Sequence, residues 1–95
     1  VAAAIAAKCA REGCDFAMLL GDNVYENGIS SPDDPAIVER FEKVFEPVNL
    51  PFYAALGNHD YGHDGLGTDF VKGMNQVLYT SRSRKWRMPD SFYAV

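Results

Sequence analysis

Two stretches of the chain end alike. Ala17-Met18-Leu19-Leu20-Gly21-Asp22 and Tyr53-Ala54-Ala55-Leu56-Gly57-Asn58 each carry an apolar segment into Leu-Gly and then into a side chain with a ligand oxygen. A carboxylate and a carboxamide brought side by side, with His59 and Asp60 directly after, suit a hard or borderline metal ion. Alone, either Asp22 or Asn58 would serve equally as a cap or turn residue. Tyr25 follows Asp22 by three residues; without its neighbours it reads as a loop aromatic with an apolar body and a wet tip. His59 and His63 have a spacing that would suit zinc on a helix, but the glycines at 57, 62, 65 and 67 exclude a helix there. His63 is therefore assigned to a substrate loop or to solvent, and Asp64 and Asp69 to loop and cap roles.

For Asp22 and Asn58 to meet, the segments before them must be adjacent parallel strands. Phe16 to Leu20 is a continuous apolar run, as expected for a buried parallel strand, and Leu50 to Leu56 is a second. Between them lies a loop over residues 23–34, then a helix capped by Asp34 with Pro35 in its first turn and ended by Pro47. Ile37, Val38, Phe41, Val44, Phe45 and Val48 form its apolar face. A crossover helix between adjacent parallel strands makes both strands finish at one sheet edge, where open α/β sheets hold their ligands. Residues 1–12 favour a helix stopped by Gly13, residues 58–67 read as loop, and residues 69–80 as a helix weakened by Gly73. A basic connection over residues 81–89 then leads to a strand opening at Ser91.

The 95 residues carry 9 Lys and Arg against 13 Asp and Glu, a net charge of −4, and are 47% hydrophobic and 13% aromatic. That composition excludes a disordered chain, and no apolar run reaches the ~20 residues of a spanning helix, so no membrane partner is expected. Net acidity argues against nucleic acid as a partner, because phosphate neutralisation needs a basic face. Arg82, Arg84, Lys85 and Arg87 around Trp86 could form a phosphate patch, but a solvated connection fits an acidic chain better. Cys9 and Cys14 form a disulfide if Gly13 redirects the chain, or remain two buried thiols. A bridge would place the protein outside the cytoplasm, secreted or periplasmic.

Gly21-Asp22-Asn23-Val24-Tyr25 with Gly57-Asn58-His59-Asp60 resembles two signature blocks of the calcineurin-like metallophosphoesterases, and Tyr25 narrows the likeness to the purple acid phosphatase group. The likeness is to the tartrate-resistant acid phosphatase type and its bacterial relatives. Phe52-Tyr53, Gln76-Val77-Leu78-Tyr79, Trp86-Arg87-Met88-Pro89 and Phe92-Tyr93 extend it over nearly the whole chain.

The resemblance implies hydrolysis of phosphate monoesters at a binuclear centre of Fe(III) and a divalent metal (Fe, Zn or Mn). Asp22 would bridge the ions, Tyr25 would bind Fe(III) as tyrosinate, and Asn58 would bind the divalent ion. His59 would hydrogen-bond the phosphoryl group or protonate the leaving alkoxide, and Asp60 would orient or support His59. The substrate would be a phosphate-ester small molecule or a phosphoprotein. A phosphodiesterase or nucleotide hydrolase on the same metals, or a non-catalytic scaffold, are the alternatives. In fold terms residues 1–95 are expected to be an α/β piece from the amino-terminal half of a metallophosphoesterase αββα sandwich, two parallel strands joined by a crossover helix, truncated at both ends. An upstream Asp block and downstream His ligands would lie outside it, leaving the isolated segment inactive.

Overall fold

A computed structural model describes residues 1–62 and 69–94. Helix α1 (Ala2–Glu12) leads into strand β1 (Ala17–Leu19); a long loop follows, then α2 (Pro35–Ile37), which widens into a π-helical turn at Val38–Glu42. Strand β2 (Phe52–Ala54), a 3-10 turn (Asn58–Tyr61), helix α3 (Phe70–Leu78), a second 3-10 turn (Tyr79–Arg82) and strand β3 (Trp86–Arg87) complete the order. The three strands form one parallel sheet, β1-β2-β3, with Ala17 opposite Phe52, Leu19 opposite Ala54 and Phe52 opposite Trp86. β1 and β2 are thus the two parallel strands joined through a helical crossover that the apolar runs foretold.

Asp34 starts that crossover. Its Oδ1 accepts from Ala36 N at 2.9 Å and its Oδ2 from Ser30 N at 2.8 Å, while Pro35 occupies a first-turn position where no donor is missed. The expected single α-helix gives way at Val38, where the Lys43 N–H reaches back five residues to Val38 O at 2.9 Å. An extra residue in the turn rotates the side chains that follow. Ile37, Phe41 and Val48 are buried with Phe45 packed beside them, whereas Val38 and Val44 are left exposed.

The core is largely aromatic. Phe41 meets Phe52 edge-on at 5.1 Å and Trp86 at 4.9 Å, and Tyr79 closes on Trp86 at 6.0 Å. Burying each such side chain contributes about 1.5–3 kcal/mol. Trp86 is fully buried, and its indole N–H donates to Gln76 O at 2.7 Å, which ties β3 to α3.

Three local expectations are corrected. The third strand lies at Trp86–Arg87, inside the stretch read as a basic connection, and residues 91–94 form no strand. Phe52 N donating to Lys85 O at 2.7 Å sets that pairing, and Pro89, which has no N–H, follows directly after Met88, whose N–H donates to Thr80 Oγ1 at 2.9 Å. Residues 58–61 form a 3-10 turn rather than irregular loop. β1 is covered on one face only: Ala17 and Leu19 pack toward the core, while Phe16, Met18 and Leu20 are 44%, 60% and 87% exposed. The cysteines resolve to a Cys9–Cys14 disulfide, with the Cα atoms 5.1 Å apart and Gly13 between them at φ 81°.

Candidate metal centre

Both strands deliver their Leu-Gly ends to the same sheet edge. Gly21 at φ 109° and Asp22 at φ 51° turn the chain sharply off β1. A left-handed conformation at a non-glycine residue is uncommon and persists where the surroundings enforce it. Here the enforcing contacts come from the other loop. Asp22 Oδ1 accepts from His59 N at 2.9 Å, and Gly57 lies so close that a Cβ on it would overlap both the Asp22 backbone nitrogen and its carboxylate. The two glycines therefore act differently: Gly21 supplies a positive φ, and Gly57, at φ −105°, supplies room.

Tyr25 folds back over this edge. Its hydroxyl donates to Asp22 Oδ2 at 3.3 Å and its ring lies 4.6 Å from that of His59. Partial desolvation first, then the Asp22 carboxylate and its hydrogen bond, then the more distant Asp60, push the Tyr25 phenol above its ordinary range. A cation bound at this edge would oppose that rise and favour the phenolate. The ion pairs among the described residues, Lys8–Glu12, Glu39–Lys43 and Asp33–Arg82, all leave the Asp22 carboxylate out. Asn58 follows Gly57 at the same edge, exposed, as the first residue of the 3-10 turn. A carboxylate, a phenol and a carboxamide would each offer oxygen, a donor type that suits hard cations. Among the described residues no group of three or more His, Cys, Asp and Glu gathers as a ready metal cluster.

The His59 ring is held from the Tyr25 loop, with Nδ1 2.8 Å from Glu26 O. A carbonyl only accepts, so Nδ1 carries the proton and Nε2 is the nitrogen available for exchange. Asp60 is fully buried. Its Oδ1 accepts from Asn23 N at 2.9 Å, Val24 N at 3.0 Å and Gln76 Nε2 at 2.7 Å, and its Oδ2 from Gly57 N at 2.8 Å. These bonds clamp the Asp22 loop onto the turn that carries His59, so Asp60 braces the turn while Glu26 orients the ring.

Sequence reasoning gave no role to Glu26, nor to Asn23 and Gln76, which it quoted only as part of the resemblance. Gln76 had a signal, since it falls three residues after Gly73 on the buried stripe of α3, where a polar side chain needs partners. Asp69 caps α3 by accepting from Lys72 N at 3.0 Å, as expected. His63 and Asp64 lie outside the described residues. Of the basic residues near Trp86, Lys85 donates to Phe45 O and Glu46 O and Arg87 to Trp86 O, while Arg82 pairs with Asp33 at the surface and Arg84 is exposed, as a solvated connection would have it.

Residues 2–94 match the family model of the calcineurin-like phosphoesterases. Tartrate-resistant acid phosphatase type 5 of Rattus norvegicus is 36% identical over 86 residues, which is 87% of this chain and 24% of that protein. The Homo sapiens protein of the same name is 37% identical over the same shares. Purple acid phosphatase 4 of Arabidopsis thaliana is 44% identical over 80 residues, 82% of this chain and 22% of that protein. The chain thus spans about a quarter of the length of the curated relatives it matches. A three-stranded parallel sheet with flanking helices is what part of the calcineurin-like α/β fold looks like. From the sheet edge, the two loop motifs and the extent of the match, the chain belongs to the calcineurin-like phosphoesterase family.

Proposed function

We propose that the protein hydrolyses phosphate monoesters at a centre of Fe(III) and a divalent metal, with Asp22, Tyr25 and Asn58 among the ligands. One observation carries the reading: the Tyr25 hydroxyl rests on the Asp22 carboxylate, 3.3 Å away, at the edge where both Leu-Gly ends arrive. The ions, when bound, would supply Lewis acidity and an activated water to the phosphoryl centre. Further ligands would come from sequence beyond these residues, and the isolated segment is not expected to turn over substrate.

The residues of this chain have their own parts. Asp22 and Tyr25 supply negative charge to hold the cations. His59 keeps its Nδ1 proton on Glu26 O, and in its doubly protonated form gives the Nε2 proton to the leaving alkoxide. Asp60 fixes the turn from which His59 projects. The substrate class follows from the monoester reading: a small phosphate ester or a phosphoprotein. An extracytoplasmic setting is part of the same proposal, supported by the Cys9–Cys14 disulfide. Among the described residues no helix is long and apolar enough to cross a membrane.

The test is visible absorption with metal analysis on the full-length natural protein, beside Tyr25→Phe. A charge-transfer colour lost in the variant, with aryl monoester hydrolysis in the parent, is the expected result. Preference for diesters would move the substrate class, and a protein that binds no metal would leave a non-catalytic scaffold.

A further inference from the structure

Gln76 stands on α3, outside both metal-motif loops, yet its side chain touches each of them. Fully buried, it donates from Nε2 to Asp60 Oδ1 at 2.7 Å and accepts at Oε1 from Asn23 Nδ2 at 3.2 Å. Asn23 Nδ2 also donates to Ala55 O at 2.7 Å, at the end of β2. The Gln76 main chain is anchored in turn, because its carbonyl accepts from the Trp86 indole at 2.7 Å. One amide therefore joins the residue after Asp22, the residue after His59 and the aromatic core.

A carboxamide meets both demands at once. The Asp60 carboxylate needs a donor and the Asn23 amide needs an acceptor, and Gln offers one of each at a single terminus. A methionine fills similar space but leaves Asp60 one donor short and the Asn23 amide without this acceptor. An ionised glutamate sets a second carboxylate against Asp60.

We infer that Gln76 is a positioning residue, whose amide fixes the spacing of the Asp22 and Asn58 loops and thereby the affinity of the site for its metal. The link to metal rests on the reading in Proposed function; the positioning itself does not. Residues of this kind, one step behind the ligands, typically change metal affinity roughly 10- to 100-fold.

The experiment uses the full-length natural protein and two variants, Gln76→Met and Gln76→Glu, with Tyr79→Phe as comparator. Tyr79 follows α3 three residues after Gln76, and its hydroxyl donates to Glu42 at 2.7 Å rather than to either loop. In metal-free protein, amide exchange at Asn23, Val24 and Gly57 is expected to quicken roughly tenfold in the Gln76 variants, as for loss of one buried hydrogen bond, and to stay unchanged in Tyr79→Phe. Binding of Zn(II) alone, by equilibrium dialysis, is expected to weaken roughly tenfold or more in the Gln76 variants only. Should Gln76→Met not fold, Gln76→Glu, which keeps the shape, carries the test. Unchanged exchange at those three amides overturns the inference, as does an equal loss of Zn(II) affinity in Tyr79→Phe. A parent protein that binds no metal defeats the functional reading, while the exchange result still decides whether Gln76 positions the loops.

Discussion

The backbone N–H of His59 donates to Asp22 Oδ1 at 2.9 Å, joining positions 37 residues apart. One carboxylate thus braces the loop that carries the other motif, and its second oxygen receives the Tyr25 hydroxyl. The site is preorganised by its own ligand candidates, so small changes in loop spacing should register in the chemistry before they register in the fold.

Gly57→Ala tests that spacing. Its φ of −105° suits any residue, so the penalty is purely steric, against the Asp22 backbone nitrogen and carboxylate. Backbone does not yield as a flexible side-chain tip does, and overpacking of this kind costs about 1–3 kcal/mol. The urea midpoint is expected to fall and bound metal to fall with it. A variant with parental stability and metal content would show that the loops have slack.

Tyr25 makes a spectroscopic prediction. Desolvation and the Asp22 charge raise its pKa, so in metal-free protein its phenolate absorbance should appear only above the ordinary value near ~10. The sign for stability follows: a raised folded pKa gives a contribution fully present below the unfolded pKa and lost as pH climbs through the folded one. Asp22→Asn removes the Asp22 charge and should move the ultraviolet titration of Tyr25 downward. No movement would mean that Asp22 does not act on the phenol. Tyr25→Phe, at a residue 48% exposed, should leave the urea midpoint close to the parent's, separating any effect on metal from loss of the fold.

What the chain discloses by itself depends on the range of the interaction. Leu20-Gly21-Asp22 and Leu56-Gly57-Asn58 reveal their meeting because strand, crossover and strand force it, and each signal is local. Asp60 does not reveal its role, since its partners are mostly backbone N–H groups of residues 23, 24 and 57, and backbone donors have no sequence signature. β3 is hidden for another reason: two residues are too few to show alternation, and its pairing is set by Phe52 reaching Lys85 O. The run at Phe16 to Leu20 gives the strand but misstates its burial, because apolar composition cannot say whether an element covers the second face.

Asp34 holds the start of the crossover, and its carboxylate is kept below the usual range by the Ser30 and Ala36 N–H groups, against an opposing effect of burial and with a further lowering from Lys72 and the Ser30 side chain. Asp34→Ala should lower stability by about 1 kcal/mol at neutral pH, the usual loss for a helix cap. A depressed folded pKa means the contribution is present above the unfolded value near ~3.9 and lost as pH falls through the folded one. Parent and variant are therefore expected to converge in acid, by urea unfolding at several pH values. A gap that stays constant down to strong acid would assign the effect to packing instead.

The Cys9–Cys14 bridge closes a five-residue separation at the end of α1, a helix with no buried residue. Ala2 and Ala6 are only partly buried against the core, and the Lys8–Glu12 pair at 2.8 Å is exposed and worth at most about 0.5 kcal/mol. By loop-closure entropy so short a loop gives the bridge about 2 kcal/mol, and that energy acts on an element the core barely holds. Reduction should therefore melt α1 locally and leave the Phe41, Phe52 and Trp86 cluster intact. Mass measurement should show two hydrogens gained on reduction, far-ultraviolet dichroism should lose about one helix, and Trp86 fluorescence should keep its buried position. If Trp86 shifts to its solvent-exposed emission on reduction, α1 is a part of the core rather than a helix stapled at its edge.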